Sequence, residues 1–133
     1  MTTALLDTSV IIDTMDAGTV RSLPFSLLTI SSLTYAELRR GLVTATELHK
    51  LNHRSRRLVD VAQQFGPGIP FDDACAREYE RITQAAVDHG QGARANMIDR
   101  MIAATALAHQ MPIITRNAAD LRGLDGHLHV IPL

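Results

Sequence analysis

A chain of 133 residues, 46% of them hydrophobic, suits one globular domain over residues 1–133, long enough to bury roughly two thirds of the surface its unfolded form would expose. A single cysteine, Cys75, excludes an intramolecular disulfide, and a net charge of −1 with five aromatic residues and no tryptophan argues against a uniformly basic or base-stacking surface. No apolar run approaches the ~18 residues of a membrane span and residues 1–7 lack the pattern of a signal peptide, so the expected setting is the cytoplasm, with no membrane partner.

Ala4-Leu5-Leu6 is predicted to be a short buried strand and residues 8–13 the helix after it, with Asp7 at the junction. Residues 25–30, following Pro24, read as a second strand. Ser31-Ser32 opens a helix through Tyr35, Leu38 and Leu42, with Gly41 near its end. A longer helix over residues 46–65 is expected to turn Leu48, Leu51, Leu58, Val59 and Ala62 inward, until Gly66-Pro67-Gly68 breaks it. Ile69-Pro70-Phe71 reads as a short edge strand, because proline cannot donate within a ladder. Asp72-Asp73 caps a helix reaching His89, which Gly90 and Gly92 end. Residues 95–110 form the most regular helical pattern, with Met97, Ile98, Met101, Ile102, Thr105 and Ala108 on one side. After Pro112, Ile113-Ile114-Thr115 and His129-Val130-Ile131 are the last two strands, joined by a polar segment over residues 116–126. Strands alternating with helices predict an α/β fold, a short central parallel sheet flanked by helices.

Four acids stand at the ends of these apolar segments: Asp7, Glu37, Asp99 and Asp120. A parallel sheet gathers its strand ends along one edge, where ligands bind, so carboxylates distant in sequence can meet in one pocket. Hard cations such as Mg²⁺ take oxygen ligands of this kind. Each acid also has an ordinary role. Asp7 suits an N-cap, Thr34-x-x-Glu37 spells a capping box, Asp99 could be an exposed acid of an alanine-rich helix, and Asp120 a turn residue. For the ordinary account to hold, all four must coincide beside one edge of the sheet.

Charge is unevenly spread. Residues 38–58 carry Arg39, Arg40, Lys50, Arg54, Arg56 and Arg57 against Glu47 alone, +5 in a chain of net −1, so the remainder carries −6. Arginine supplies 12 of the 13 basic residues, and its planar fork suits a phosphodiester backbone; a solvated helix face would look the same. His49 and His53 lie one helical turn apart without a third zinc ligand nearby and read as a surface pair. His127 and His129 are expected on one face of the last strand, toward solvent or a dimer contact. No nucleophile elbow and no glycine-rich phosphate loop occurs.

The segments Leu5-Leu6-Asp7-Thr8-Ser9-Val10-Ile11-Ile12-Asp13, Tyr35-Ala36-Glu37-Leu38-Arg39-Arg40-Gly41, Asp99-Arg100-Met101-Ile102-Ala103-Ala104-Thr105-Ala106 and Thr115-Arg116-Asn117-Ala118-Ala119-Asp120-Leu121 resemble the four signature segments of PIN-domain ribonucleases. Their order and spacing are similar to those of the VapC toxins. The resemblance covers essentially the whole chain and implies a PIN-like fold and a Mg²⁺- or Mn²⁺-dependent endoribonuclease toxin of a type II toxin–antitoxin pair. Asp7, Glu37, Asp99 and Asp120 would be its catalytic, metal-binding quartet, with Ser9, Thr115 and Asn117 in support. Arg39, Arg40, Arg54, Arg56 and Arg57 would be contacts to the RNA backbone. The resemblance further implies a VapB-type antitoxin with a basic side chain set against the four acids, and a toxin homodimer within a heterotetramer or larger complex. Val10, Ile11, Leu38 and Leu42 would then serve the antitoxin groove, or else be ordinary core. Leu121 departs from the family, which more often has Phe there, as does Ile98, where Asn or Asp is frequent; neither is a ligand. The alternative is a catalytically inactive PIN-like module that binds RNA or protein. A receiver domain would need a lysine after a late strand, and a haloacid dehalogenase phosphatase an acid where Ser9 stands; the only lysine is Lys50. Which RNA is cut lies in loop shape and basic contacts rather than in the acids.

Overall fold

The computed structural model describes residues 3–14, 25–124 and 126–133. Among these, strands β1 (Thr3–Leu6), β2 (Leu27–Ile30), β3 (Ile113–Thr115) and β4 (Val130–Pro132) alternate with helices α1 (Thr8–Thr14), α2 (Ser32–Thr44), α3 (Leu48–Phe65), α4 (Asp73–Asp88) and α5 (Met97–Ala108). The strands form one parallel sheet in the order β2-β1-β3-β4.

Apolar runs this short make a parallel sheet because both of its faces are covered. β1 sits between two neighbours, with Leu5 opposite Thr29 and Ile113 and Leu6 opposite Ile30 and Ile114. Successive side chains of a strand point to opposite faces, and the core divides accordingly. Leu5 and Ile113 pack with Ile82 of α4 and with Ile102 and Ala106 of α5. Ala4, Leu6 and Ile114 pack on the other face with Val10 and Ile11 of α1, Leu38 of α2, and Leu58 and Val61 of α3. Each fully buried aliphatic side chain contributes about 1.5–3 kcal/mol, so the two clusters fix the sheet edge from which the acids project.

Several sequence expectations shift. The inward face of α3 is Leu58 and Val61, whereas Leu48 is 73% and Val59 53% exposed; one residue is a rotation of about 100° on a helix, which puts Val59 outside. α5 begins at Met97, because Asn96 holds a left-handed φ of 51°, and Met97 itself is exposed. Its buried residues are Arg100 and the run Ile102–Ala106, because α5 is covered on more than one side. Ile69-Pro70-Phe71 forms no strand. Ile69 makes a single parallel bridge to Ser31, its N–H bonding Ile30 O and its carbonyl accepting from Ser32 N. Gly68 permits that approach, since a Cβ there would stand 2.6 Å from Ser32 N. β2 starts at Leu27 and β4 at Val130, so His127 and His129 lie exposed ahead of the last strand. Val10, Ile11 and Leu38 are buried core residues, which removes them from any docking surface. Pro24 lies outside the described residues.

Candidate active site

Asp7 is where β1 gives way to α1. Its N–H still bonds Ile114 O of the neighbouring strand at 2.9 Å, while its carbonyl accepts from Val10 N at 3.1 Å and starts the helix. Asp7 is 2% exposed, and the bonds of its carboxyl go to hydroxyls. Oδ2 accepts from Ser9 Oγ at 2.8 Å and from Thr115 Oγ1 at 2.9 Å. Those hydroxyls are themselves oriented: Arg116 N–H donates to Ser9 Oγ, and Asn117 N–H to Thr115 Oγ1. Asn117 thus supports the site through its backbone. Asp7 Oδ1 is buried and has no hydrogen-bond partner among the described residues. Leaving a buried acceptor unpaired costs about 1–3 kcal/mol, more when it is charged, so this oxygen awaits a partner.

Glu37 is in the second turn of α2. The cap of that helix is Ser31, whose side chain accepts from Leu33 N at 3.0 Å, so Glu37 closes no capping box with Thr34. Both residues instead reach across to α1. Thr8 Oγ1 donates to Glu37 Oε1 at 2.6 Å and lies 2.9 Å from Thr34 Oγ1. A hydroxyl has one proton, so with Thr8 donating to the carboxylate, Thr34 donates to Thr8. Thr8 and Thr34 are site residues that the sequence pattern passed over; the available signal was two hydroxyls beside two of the acids. Arg40 flanks Glu37 on its outer side at 3.8 Å.

Asp99 lies in the first turn of α5. Its pKa is pushed up to about 6, first by burial and then by the charges of Asp7, Glu37 and Asp120. Acids 113 residues apart from first to last are thus close enough in the fold for three of them to act on Asp99. Asp120 sits in a 3-10 turn, Ala118–Leu121, its N–H bonded to Asn117 O at 2.9 Å. Leu121, 2% exposed, anchors that turn in the core. Asp120 is thus a turn residue and a member of the acid group at once.

Among the described residues no three acidic, imidazole or thiolate side chains are gathered within reach of one ion. The four carboxylates are near enough for Asp7, Glu37 and Asp120 to act on Asp99 without meeting at a point. The donor set nonetheless fits a hard divalent cation: all oxygens, one buried and unpartnered, and one carboxyl whose pKa is raised by burial and then by the charges of its acidic neighbours, a repulsion that a cation would relieve.

The arginines separate into roles. Arg54 Nη1 donates to Gly41 O at 2.6 Å and so satisfies a carbonyl in the last turn of α2. Arg40, Arg54 and Arg57 line a cavity of about 290 Å³ with Glu37, Ile12 and Thr44. Arg39 and Arg56 are exposed and do not line it. His49 is exposed and lies 3.2 Å from Glu47.

The profile of the PIN domain matches residues 4–125. Ribonuclease VapC5 of Mycobacterium tuberculosis (strain ATCC 25618 / H37Rv) is 34% identical over 126 residues, 92% of this chain and 87% of that protein. Among solved structures, VapBC-5, a member of the VapBC family of toxin–antitoxin systems from Mycobacterium tuberculosis, matches with a TM-score of 0.83 at 30% identity, covering 100% of both chains. FitAcB from Neisseria gonorrhoeae matches with a TM-score of 0.78, also at 30% identity, over 96% of each chain.

Proposed function

The chain belongs to the PIN-domain family, in its VapC branch, and from that premise we propose that it is a Mg²⁺- or Mn²⁺-dependent endoribonuclease, the toxin of a type II toxin–antitoxin pair. The observation that carries the proposal is Asp7 Oδ1, a buried carboxylate oxygen with no partner among the described residues, in a site where Asp7, Glu37 and Asp120 all act on Asp99. Asp7 and Asp99 would hold the ion, with Glu37 and Asp120 completing its surroundings. A bound divalent cation supplies Lewis acidity, lowering the pKa of an attacking water and offsetting charge on the leaving oxygen. The protein's own part is orientation. Ser9 and Thr115 fix Asp7 Oδ2 and leave Oδ1 free for the ion; Thr34 and Thr8 hold Glu37. No side chain acts as a nucleophile.

RNA would be held by its backbone beside Glu37, where Arg40 and Arg57 line the small cavity; Arg54 is engaged with Gly41 O, and Arg39 and Arg56 face solvent away from it. The partner would be a VapB-type antitoxin, in line with the toxin–antitoxin assemblies among the structural relatives. A guanidinium of that antitoxin among the four carboxylates would take the place of the ion's charge and form forked hydrogen bonds, so excess Mn²⁺ should weaken inhibition. We place the protein in the cytoplasm, as a homodimer that joins the antitoxin in a heterotetramer or larger complex. Among the described residues no helix is long and apolar enough to cross a membrane.

The test is cleavage of a labelled RNA in Mn²⁺, in EDTA, and with Asp7→Asn or Asp99→Asn. Cleavage should require the metal and fall by at least two orders of magnitude in either variant while the circular dichroism spectrum is kept. Full activity in EDTA or in both variants would overturn the mechanism. RNA binding without cleavage under any metal would favour the inactive binding module instead.

A further inference from the structure

One large cation is buried outside the acid group. Arg100 is 0% exposed and follows Asp99 in α5, so the two side chains leave the helix about 100° apart. Its guanidinium turns to the segment that leads into α5, with Nη1 donating to Gly92 O at 2.7 Å and Nη2 to Gln91 Oε1 at 2.8 Å. The amide of Gln91 continues the path, Nε2 donating to Arg122 O at 3.4 Å, two residues beyond Asp120. At the start of α5, Asn96 is left-handed and supplies no side-chain cap.

We propose that Arg100 and Gln91 are positioning residues: a hydrogen-bonded strut that sets the separation between the α5 turn carrying Asp99 and the 3-10 turn carrying Asp120. The residue types suit that task. A guanidinium is a rigid fork that engages two acceptors at once, and a glutamine amide accepts through oxygen while donating through nitrogen, so the pair links three backbone segments without a mobile joint. Asp120 sits on a short turn and Asp99 on an uncapped helix start; neither element by itself fixes the distance between them. The inference rests on the proposed metal site, because the spacing of two carboxylates matters only if something is held between them. Groups that orient metal ligands typically cost about 10- to 100-fold in metal affinity when removed.

The sign of the effect separates the strut from the field of Arg100. Removing a cation next to a cation site favours Mn²⁺ electrostatically, whereas loss of the strut weakens its binding. Mn²⁺ affinity is measured by isothermal titration calorimetry on metal-free full-length protein, beside kcat and KM on one RNA oligonucleotide, for Gln91→Ala, Arg100→Lys and Arg100→Met. All three should bind Mn²⁺ at least about tenfold more weakly and lose kcat with KM nearly unchanged, and Gln91→Ala should keep the wild-type melting temperature within a few degrees. Arg100→Lys keeps the charge and loses the fork, so full Mn²⁺ affinity in that variant would overturn the strut. Unchanged affinity in Gln91→Ala would do the same, whether or not Arg100→Met folds. Wild-type protein that neither binds Mn²⁺ nor cuts RNA would instead overturn the functional proposal, and this inference with it.

Discussion

Without metal, the substitution Asp99→Asn should make the protein more stable at neutral pH. The Asp99 carboxyl titrates near 6 instead of 3.8, mainly because it is desolvated and secondly because Asp7, Glu37 and Asp120 surround it. A raised acid pKa means that the folded state binds more protons than the unfolded state between those two values. Stability therefore falls as pH rises from about 4 to about 6, and stays lowered above that. A shift of about two units corresponds to roughly 3 kcal/mol if taken at face value. Asp99 is only half-buried, and solvent screening reduces this to about 1–2 kcal/mol. Asparagine keeps the shape and removes the charge, so in EDTA at pH 7.5 the variant should melt about 3–8 °C higher than the wild type. The two curves should converge as pH falls through 3.8, where Asp99 becomes protonated in the unfolded state as well as in the folded one. Saturating Mn²⁺ should reverse the order, because binding at 100 times the dissociation constant adds about 2.7 kcal/mol to the wild type and little to a protein missing a ligand. Differential scanning calorimetry from pH 3.5 to 8, with EDTA and with Mn²⁺, tests each step. A variant less stable than wild type in EDTA at pH 7.5, or a gap that does not change with pH, would refute the account of Asp99.

Thr83 Oγ1 on α4 is buried with no hydrogen-bond partner among the described residues, so Thr83→Val should be neutral or stabilise by up to about 1 kcal/mol; a loss larger than that in chemical denaturation would mean that the hydroxyl is paired. Thr8→Val removes the donor to Glu37 Oε1 and should cost about 1.5–3 kcal/mol together with a drop in kcat, whereas Ser in its place should restore both; failure of Thr8→Ser to do so would assign the effect to packing. Arg40→Ala with Arg57→Ala, which strip the cavity beside Glu37, should flatten the salt dependence of RNA binding by about 0.7 per lost phosphate contact, while Arg39→Ala with Arg56→Ala should leave the slope unchanged. Equal slopes in the two pairs would return all four arginines to a solvated face.

The sheet was legible because its strands are short apolar runs, and because an acid or hydroxyl, Asp7, Ser31 or Thr115, marks where each of the first three stops. Helix existence was legible for the same reason; helix phase was not. In α3 the inward residues are Leu58 and Val61, and placing Val59 among them errs by one residue, which on a helix is enough to exchange core for solvent. In α5 no single apolar side exists, because α4 and the sheet cover it from different directions and bury an arginine within the same helix as four alanines. A one-sided periodicity rule cannot express that. Ile69-Pro70-Phe71 has the composition of a strand, but Pro70 has no N–H to give, and one bridge is all that forms.

Asp7, Asp99 and Asp120 stand at or near element ends, where sequence punctuation is strongest, and Glu37 lies in the second turn of α2; their order along the chain made the four visible as a group. Their supports are of another kind. Thr8 meets Thr34 across 26 residues and Glu37 across 29, Ser9 and Asp7 meet Thr115 across more than 100, and Arg100 reaches back to Gln91. Such contacts have no spacing rule, because they depend on how the sheet stacks the elements and not on the period of any one of them. The basic segment shows the complementary failure. As a run it looks like one patch, yet Arg54 and Arg57 are three apart and share a helical face, whereas Arg56 lies about 200° from Arg54 and faces elsewhere. Arg54 is further committed to Gly41 O. A local charge of +5 in sequence therefore reduces, beside Glu37, to Arg40 and Arg57, two guanidiniums with groups to spare for a phosphate. On the proposed reading, these two cations beside Glu37 would meet the phosphodiester backbone while the acids take its metal ion, so the salt slope of RNA binding should follow Arg40 and Arg57 and the metal dependence should follow Asp7 and Asp99.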